Sequence, residues 1–385
     1  MRVPFALLVC LVALAAGCTD RDELAVSVTP DEGLVDEPFD VRVTGAAPGG
    51  SVTITVTTKS ERGATWSLTR EARADDAGGV LLPDEYLLAE LRRPLTAPDN
   101  DYLMPPFALE VSAQDGKEAD KATVRRIVRP ESVEVTELRV GADGFRGRWW
   151  APTEGARRTA ILLLGGSEGG LASGLHAGVL AGRGYHVLQL AYFSEQGLPD
   201  ELLRIPLEYF RTALAWLHDR QEVDADRVVV FGGSRGGELA LLLGSTYPEL
   251  VDAVVAYVPS ANVYPSIVDS GQPSWTLGGN PVPLTLIDVR RIEGPIFLVG
   301  GGDDQLWPSG LSVDRIAQQL EGRDDVIALN YPRAGHGVGL GIPNTIPKTI
   351  VPSRYGELDL GGSPEADEAA RDDSWPKLLR FLDEL

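Results

Sequence analysis

The chain predicts two domains of different class, an all-β sandwich followed by an α/β domain whose parallel sheet is covered on both faces. Three observations predict this. The length of 385 residues exceeds what one module of about 150 residues needs. Up to about residue 130, apolar residues alternate with polar ones in short runs broken by Pro, Gly and Asp clusters. Beyond that point, continuous apolar runs alternate with helical stretches. Alternation marks strands half-buried in antiparallel sheets, whereas unbroken apolar strands are buried on both faces of a parallel one.

The elements follow in order. Period-two runs fill residues 24–28, 39–43 and 52–56, and further β-like pieces fill 65–68 and 107–111. Turn clusters such as Ala47-Pro48-Gly49-Gly50 separate them. Short alternating strands at this spacing indicate an immunoglobulin-like sandwich over residues 18–130, without the disulfide-bridged core. Residues 131–385 form the second domain. Two edge strands at 134–140 and 145–150 precede an apolar strand at 159–164, a Gly-rich turn, a helix at 172–181 and a strand at 185–190. A longer amphipathic helix covers 206–218, and buried strands recur at 228–231, 253–258, 296–299 and 326–331. Strands alternating with helices make a sheet covered on both sides.

Composition narrows the function. Hydrophobic residues at 43% and charged residues at 24% are an ordinary globular balance, which excludes a disordered or collagen-like chain. A formal net charge of −21 excludes nucleic acid as a partner, because phosphate binding needs a cationic face. The first 17 residues read as a signal peptide: Arg2, an apolar stretch over 3–16, then small residues. The run Leu14-Ala15-Ala16-Gly17-Cys18 resembles a bacterial lipobox, with Ala15 where Leu is usual three residues before the cysteine. Export to the cell envelope and membrane contact through a lipid on Cys18 are therefore expected. Cys10 would leave with the leader, so the mature chain has one thiol and no intramolecular disulfide. No later apolar run reaches the roughly 18 residues that span a bilayer.

The sharpest local signal is Gly232-Gly233-Ser234-Arg235-Gly236, set between the strand at 228–231 and an apolar helical stretch. A serine hydroxyl is a poor nucleophile until it is lifted clear and placed beside a base. A tight strand-to-helix turn does the lifting, and small residues two before and two after let the backbone close. The base follows by elimination. His176 falls in a helix, His186 in a strand, and His218 at a helix C-terminus where a cation favours the dipole. His336 lies in a loop directly after a buried strand and after the acid, where an α/β-hydrolase keeps its base. Strand 296–299 runs into Gly300-Gly301-Gly302-Asp303-Asp304, and either Asp could orient the imidazole. Asp304 is preferred because α/β-hydrolases commonly place the acid three residues after a Gly and four before a Pro, here Gly301 and Pro308. For the oxyanion, the donors expected are the amide of Arg235 and one from the loop 165–170, Ser167 or else Glu168. No phosphate-cradling motif and no metal-ligand spacing is present, and the chemistry needs no cofactor.

These residues resemble the family of acyl-CoA thioesterases and bile acid-CoA:amino acid N-acyltransferases. The stretches that carry the resemblance include residues 36–45, Leu190-Ala191-Tyr192-Phe193, residues 233–239 and residues 302–307. The resemblance implies a β-sandwich followed by an α/β-hydrolase domain, with Ser234, Asp304 and His336 on the triad positions. It implies an acyl thioester or ester as substrate. The family's transferase branch typically carries Cys as nucleophile, so Ser234 points to hydrolysis. Arg235 and Arg290 are the arginines expected to help a polyanionic CoA, and residues 259–287 are either a cap on the acyl pocket or a surface excursion. An extracellular carboxylesterase or acyltransferase acting on a non-CoA donor is the alternative, and a non-catalytic binding lipoprotein the third reading.

Overall fold

The computed structural model describes residues 23–60, 62–83, 91, 105–116, 118–171, 174–343, 345, 350–353 and 356–385. The leader, residues 1–17, and the lipidation candidate Cys18 lie outside the described residues.

The N-terminal part is a two-sheet sandwich. One sheet pairs β1 (Ala25–Thr29), β3 (Asp40–Thr44) and β6 (Val80–Pro83) in the order β1-β3-β6. The other runs β2-β8-β7-β4-β5, from β2 (Glu32–Leu34), β4 (Ser51–Lys59), β5 (Thr65–Arg73), β7 (Phe107–Asp115) and β8 (Glu118–Ile127). Pairing is antiparallel except between β2 and β8. The alternation read from sequence is the alternation buried: Val52, Ile54 and Val56 of β4 point inward with Val41, Val43, Leu109 and Val111. β8 escaped the sequence reading because charged residues fill half of its length, and only Val124 and Arg126 of it are buried.

The second part is an eight-stranded sheet. Its members are β9 (Val133–Leu138), β10 (Arg146–Pro152), β11 (Ala160–Leu164), β12 (His186–Ala191), β14 (Val228–Gly233), β15 (Ala253–Tyr257), β18 (Ile296–Gly301) and β19 (Val326–Tyr331). Their order is β9-β10-β12-β11-β14-β15-β18-β19, parallel from β12 to β19. The expectation that residues 145–150 form an edge strand needs correcting: β10 is antiparallel to β9 on one side and to β12 on the other. The apolar residues of β10 face both ways because it has neighbours on both edges and helices on both faces.

Successive residues of each buried strand feed opposite cores, as the period of two requires. Leu162, Val228 and Val230 pack with Phe210, Leu214 and Leu217 of α3 (Leu207–His218), Leu239 and Leu243 of α4 (Arg235–Thr246), and Val313 and Ile316 of α5 (Ser309–Gln319). Ile161, Leu163, Val229 and Phe231 pack on the other face with α2 (Gly174–Gly182) and with Trp375, Leu378 and Phe381 of α6 (Pro364–Asp383). In chain order, Ser234 follows the fifth strand of the sheet, Asp304 the seventh and His336 the eighth. This is the α/β-hydrolase fold.

The two parts are fastened at Asp36. Its wholly buried carboxylate accepts from Arg183 Nε and from Trp375 Nε1, each at 2.7 Å, so a sandwich residue is bonded to groups beside α2 and on α6.

Candidate active site

Each functional side chain stands on a loop at the carboxyl end of a strand, where an α/β sheet places its ligands. Ser234 sits between β14 and α4 with φ 57° and ψ −121°, a conformation that strains any residue with a Cβ. The surroundings enforce it. The Ser234 amide donates to Tyr257 O at 2.9 Å, and Glu238 N donates back to Ser234 O at 3.1 Å. A Cβ on Gly232 would lie 2.0 Å from Gly236 O, and one on Gly236 would lie 2.5 Å from Gly165 O, so both small residues are obligatory.

The three chemical groups meet. Ser234 Oγ lies 2.9 Å from His336 Nε2, and His336 Nδ1 lies 2.7 Å from Asp304 Oδ2. With the Asp304 carboxylate accepting Nδ1–H, Nε2 is left free to accept the serine proton. Asp304, whose side chain is wholly buried, is held at both oxygens. Ser309 Oγ donates to Oδ2 at 2.6 Å, and the amides of Leu306 and Trp307 donate to Oδ1 at 2.9 and 3.3 Å. Asp303 is exposed and turns away, accepting from Gln305 Nε2 and the Gly362 amide. Of the two aspartates only Asp304 touches the imidazole.

The oxyanion candidates occupy the same neighbourhood. Arg235 is the first residue of α4, so its amide has no intrahelical acceptor. Ser167 and Glu168 line a cavity of about 500 Å³ together with Ser234 and His336. The Glu168 carboxylate accepts the Gly166 amide at 3.0 Å, and the Tyr192 hydroxyl donates to the carbonyls of Gly165 and Gly166 at 2.6 and 2.9 Å. Those two side chains shape the loop. The sequence named Glu168 only for its amide, as the alternative oxyanion donor, and Tyr192 only as part of a family-like stretch.

One expectation is overturned. The Arg235 side chain, 3% exposed, is not available to phosphates. Its guanidinium pairs with buried Glu238 at 2.8 Å and donates to Tyr264 O and Pro265 O at 3.2 Å and to the Ser274 hydroxyl. Burial raises the Glu238 carboxyl to about 7 against the pull of Arg235, Trp275 and the Tyr264 amide. Arg290 is exposed but bonded to Asp288 at 2.6 Å. Residues 259–287, open to reading as a cap or as a surface excursion, do not line the cavity. Its apolar wall comes from Leu306, Leu340 and the hairpin of β20 (Ile350–Ser353) and β21 (Gly356–Asp359), with Leu360 beyond. The sequence hid this because 350–359 is too short a pattern to read as a hairpin.

The remaining histidines have structural roles. His176 is buried against Phe231 and Trp375, and desolvation depresses it to about 4. His186 stacks on Trp149, and His218 Nε2 lies 3.1 Å from Leu250 O.

Residues 205–270 and 275–385 match the family described as BAAT / Acyl-CoA thioester hydrolase C terminal. Acyl-coenzyme A thioesterase 2, mitochondrial, of Homo sapiens is 28% identical over 90% of this chain and 81% of its own length. Acyl-coenzyme A thioesterase 1 of Homo sapiens is 28% identical over 90% of this chain and 93% of its own. Among solved structures, the α/β hydrolase MGS-M1 from a Medee basin deep-sea metagenome library aligns at a TM-score of 0.46 and 18% identity, covering 66% of this chain and 100% of its own. The chain is thus similar to acyl-CoA thioesterases over most of its length, as its motifs resemble theirs.

Proposed function

We propose that this relative of the acyl-CoA thioesterases is a serine hydrolase that cleaves an acyl thioester or ester through an acyl-Ser234 intermediate. One observation carries the reading: the unbroken relay from Asp304 through His336 to Ser234, with spacings of 2.7 and 2.9 Å. In the first half, Ser234 Oγ bonds to the substrate carbonyl carbon while its proton passes to His336 Nε2. Asp304 keeps the ring in the tautomer that can accept, and stabilises the imidazolium that results. The carbonyl oxygen takes the negative charge toward the amides of Arg235 and Ser167. The tetrahedral centre then collapses, the carbon–sulfur or carbon–oxygen bond breaks, and His336 returns its proton to the leaving group. In the second half His336 takes a proton from water, which attacks the acyl carbon, and then gives that proton to Ser234 Oγ as the acid departs.

The apolar wall of Leu306, Leu340 and Leu358 suits the hydrocarbon of a fatty acyl group. A second reading keeps the relay and replaces CoA by a simpler ester. It is supported by the expected export signal and by the described cavity wall, whose one carboxylate is that of Glu168 and which holds no Lys or Arg. Export and lipid attachment at Cys18 belong to this proposal too, and intact mass of the membrane fraction tests them.

Fluorophosphonate labelling tests the mechanism. Wild-type protein is expected to label at Ser234 and Ser234→Ala not at all, with kcat lower by about 10⁴ or more. Activity retained by Ser234→Ala on both palmitoyl-CoA and p-nitrophenyl esters would falsify the mechanism. The ratio of kcat/KM on those two substrates separates the two readings.

A further inference from the structure

The reaction above leaves one buried carboxylate unexplained. Asp367 stands in the first turn of α6, which Ser363 caps by accepting the Ala366 amide at 3.2 Å. It is fully buried. One carboxylate oxygen accepts the amide of Gly335, the residue before His336, at 2.7 Å. The other oxygen has no hydrogen-bond partner among the described residues. A carboxylate kept in the interior with half its capacity unmet is costly, and its position demands a reason.

That position is against the backbone of the loop that carries the imidazole. The His336 amide donates to Leu360 O at 2.7 Å, so the loop is held on one side by a carbonyl and on the other by Asp367. A Cβ on Gly335 would lie 2.3 Å from Gly361 O, so these loops pack backbone against backbone. We propose that Asp367 is a positioning residue for His336: it clamps the Gly335 amide and sets a second negative charge near the ring, so that the imidazole stays between Asp304 and Ser234.

The electrostatic surroundings support this. His336 is 1% exposed, so the imidazolium formed in each half-reaction is screened little by water. Asp304 faces it from the loop after β18, Asp367 lies within electrostatic reach of it on α6, and Glu168 borders the same cavity. Arg235 of α4 directs its charge away into Glu238, and Arg333 and Asp359 are exposed. Asp367 in turn faces Arg371, whose Nε donates to the Asp367 carbonyl at 3.3 Å and whose Nη1 donates to Thr345 O at 3.0 Å. Glu368 and Asp372 stand beside it on α6, and His176 of α2 lies near Arg371. Burial raises the Asp367 carboxyl, while the Gly335 amide and Arg371 pull it back.

The inference rests on the serine-hydrolase reading, and two substitutions test it separately from that reading. Asp367→Asn keeps an oxygen for the Gly335 amide and removes the charge; Asp367→Ala removes both. In Asp367→Ala, kcat and the rate of fluorophosphonate labelling should fall about 100-fold with KM little changed, because the ring loses its alignment. Asp367→Asn should recover most of the plateau rate. Its kcat/KM profile should shift its acid limb toward lower pH by about one unit, since losing a nearby negative charge destabilises the imidazolium. Circular dichroism confirms folding of each variant, and should the alanine variant not fold, the asparagine profile alone decides. An asparagine profile superimposed on the wild type, or wild-type labelling by a folded alanine variant, overturns the assignment. Absence of labelling in the wild type itself would instead strike the underlying mechanism.

Discussion

Replacing Arg235 by Met separates the two jobs of the residue next to the nucleophile, because the backbone amide remains and only the buried cation goes. The side chains of Arg235 and Glu238 are 3% and 0% exposed, 2.8 Å apart, and joined to residues 264–275 by five further hydrogen bonds. Glu238 is raised from 4.5 to about 7, chiefly by desolvation. The folded protein therefore holds a proton that the unfolded chain releases near pH 4.5. Between that pH and about 7 the folded state binds more protons, and stability falls as pH rises, by about 1.4 kcal/mol per pH unit at most. Above about 7 both states have lost the proton and this contribution levels off.

In Arg235→Met the attraction that restrains Glu238 is gone, so its carboxyl climbs further and the decline continues past the point where the wild type flattens. A buried charge stripped of its partner costs about 3–5 kcal/mol, and that loss should appear in full well above neutrality. Near pH 5.5 Glu238 is protonated in both proteins, so the part of the loss due to the stranded carboxylate should vanish, leaving only the charge-assisted hydrogen bonds of the guanidinium to Tyr264 O, Pro265 O and the Ser274 hydroxyl. Urea unfolding followed by tryptophan fluorescence, at intervals from about pH 5.5 to 9, reads both curves. The double variant Arg235→Met/Glu238→Gln removes the stranded carboxylate and should recover most of the alkaline loss. Parallel curves for wild type and Arg235→Met above neutrality would refute the reasoning, as would a double variant no more stable than the single one.

Two other outcomes follow from the site. Asp304→Asn should lower kcat by about 10⁴, because the amide cannot hold the ring in the accepting tautomer. Asp303→Asn, whose partners are Gln305 and Gly362, should stay within a few-fold; steady-state ester hydrolysis compares them, and equal losses would count against the assignment. Glu168→Gln should raise kcat/KM. The point beside Gly166 that lies 2.8 Å from Glu168 Oε2 lies 3.2 Å from Ser234 Cβ, so the carboxylate stands within about 6 Å of the nucleophile and opposes an oxyanion there. A fall in the presteady-state acylation rate of that variant would show the carboxylate assisting instead.

The relay was legible because its members obey local rules. Ser234 needed small neighbours at fixed offsets, His336 was the histidine that no helix or strand explained, and Asp304 followed a buried strand into a loop. The sheet was legible for a similar reason: strands buried on both faces leave unbroken apolar runs. What escaped depends on burial that no short window records. Arg235 and Asp367 look like surface charges in sequence, and only the packing of residues 264–275 on one and the loops 334–336 and 360–362 on the other makes them interior groups. Asp36 and Trp375 are bonded across 339 positions, a distance over which spacing says nothing. α6 was missed because acidic residues crowd its first half and Pro376 interrupts the second.

The two excursions from the sheet accordingly divide the work differently from the sequence expectation. Residues 264–275 are tied to α4 by Arg235, Glu238 and buried Trp275, and Tyr264 packs on Trp307, which meets the His336 ring edge to face. This excursion braces the relay from the side. The apolar wall of the cavity comes in part from the β20–β21 hairpin, with Val351 and Leu358 bordering it. The β20–β21 pair is only two strands, and such a hairpin is marginal on its own. In the proposed reaction, acyl preference resides in the element least constrained by the sheet, and the chemistry in loops held by backbone packing. Substitutions at Val351 or Leu358 should change which chain is accepted and leave the fluorophosphonate reactivity of Ser234 close to wild type, because the relay makes no hydrogen bond to either side chain.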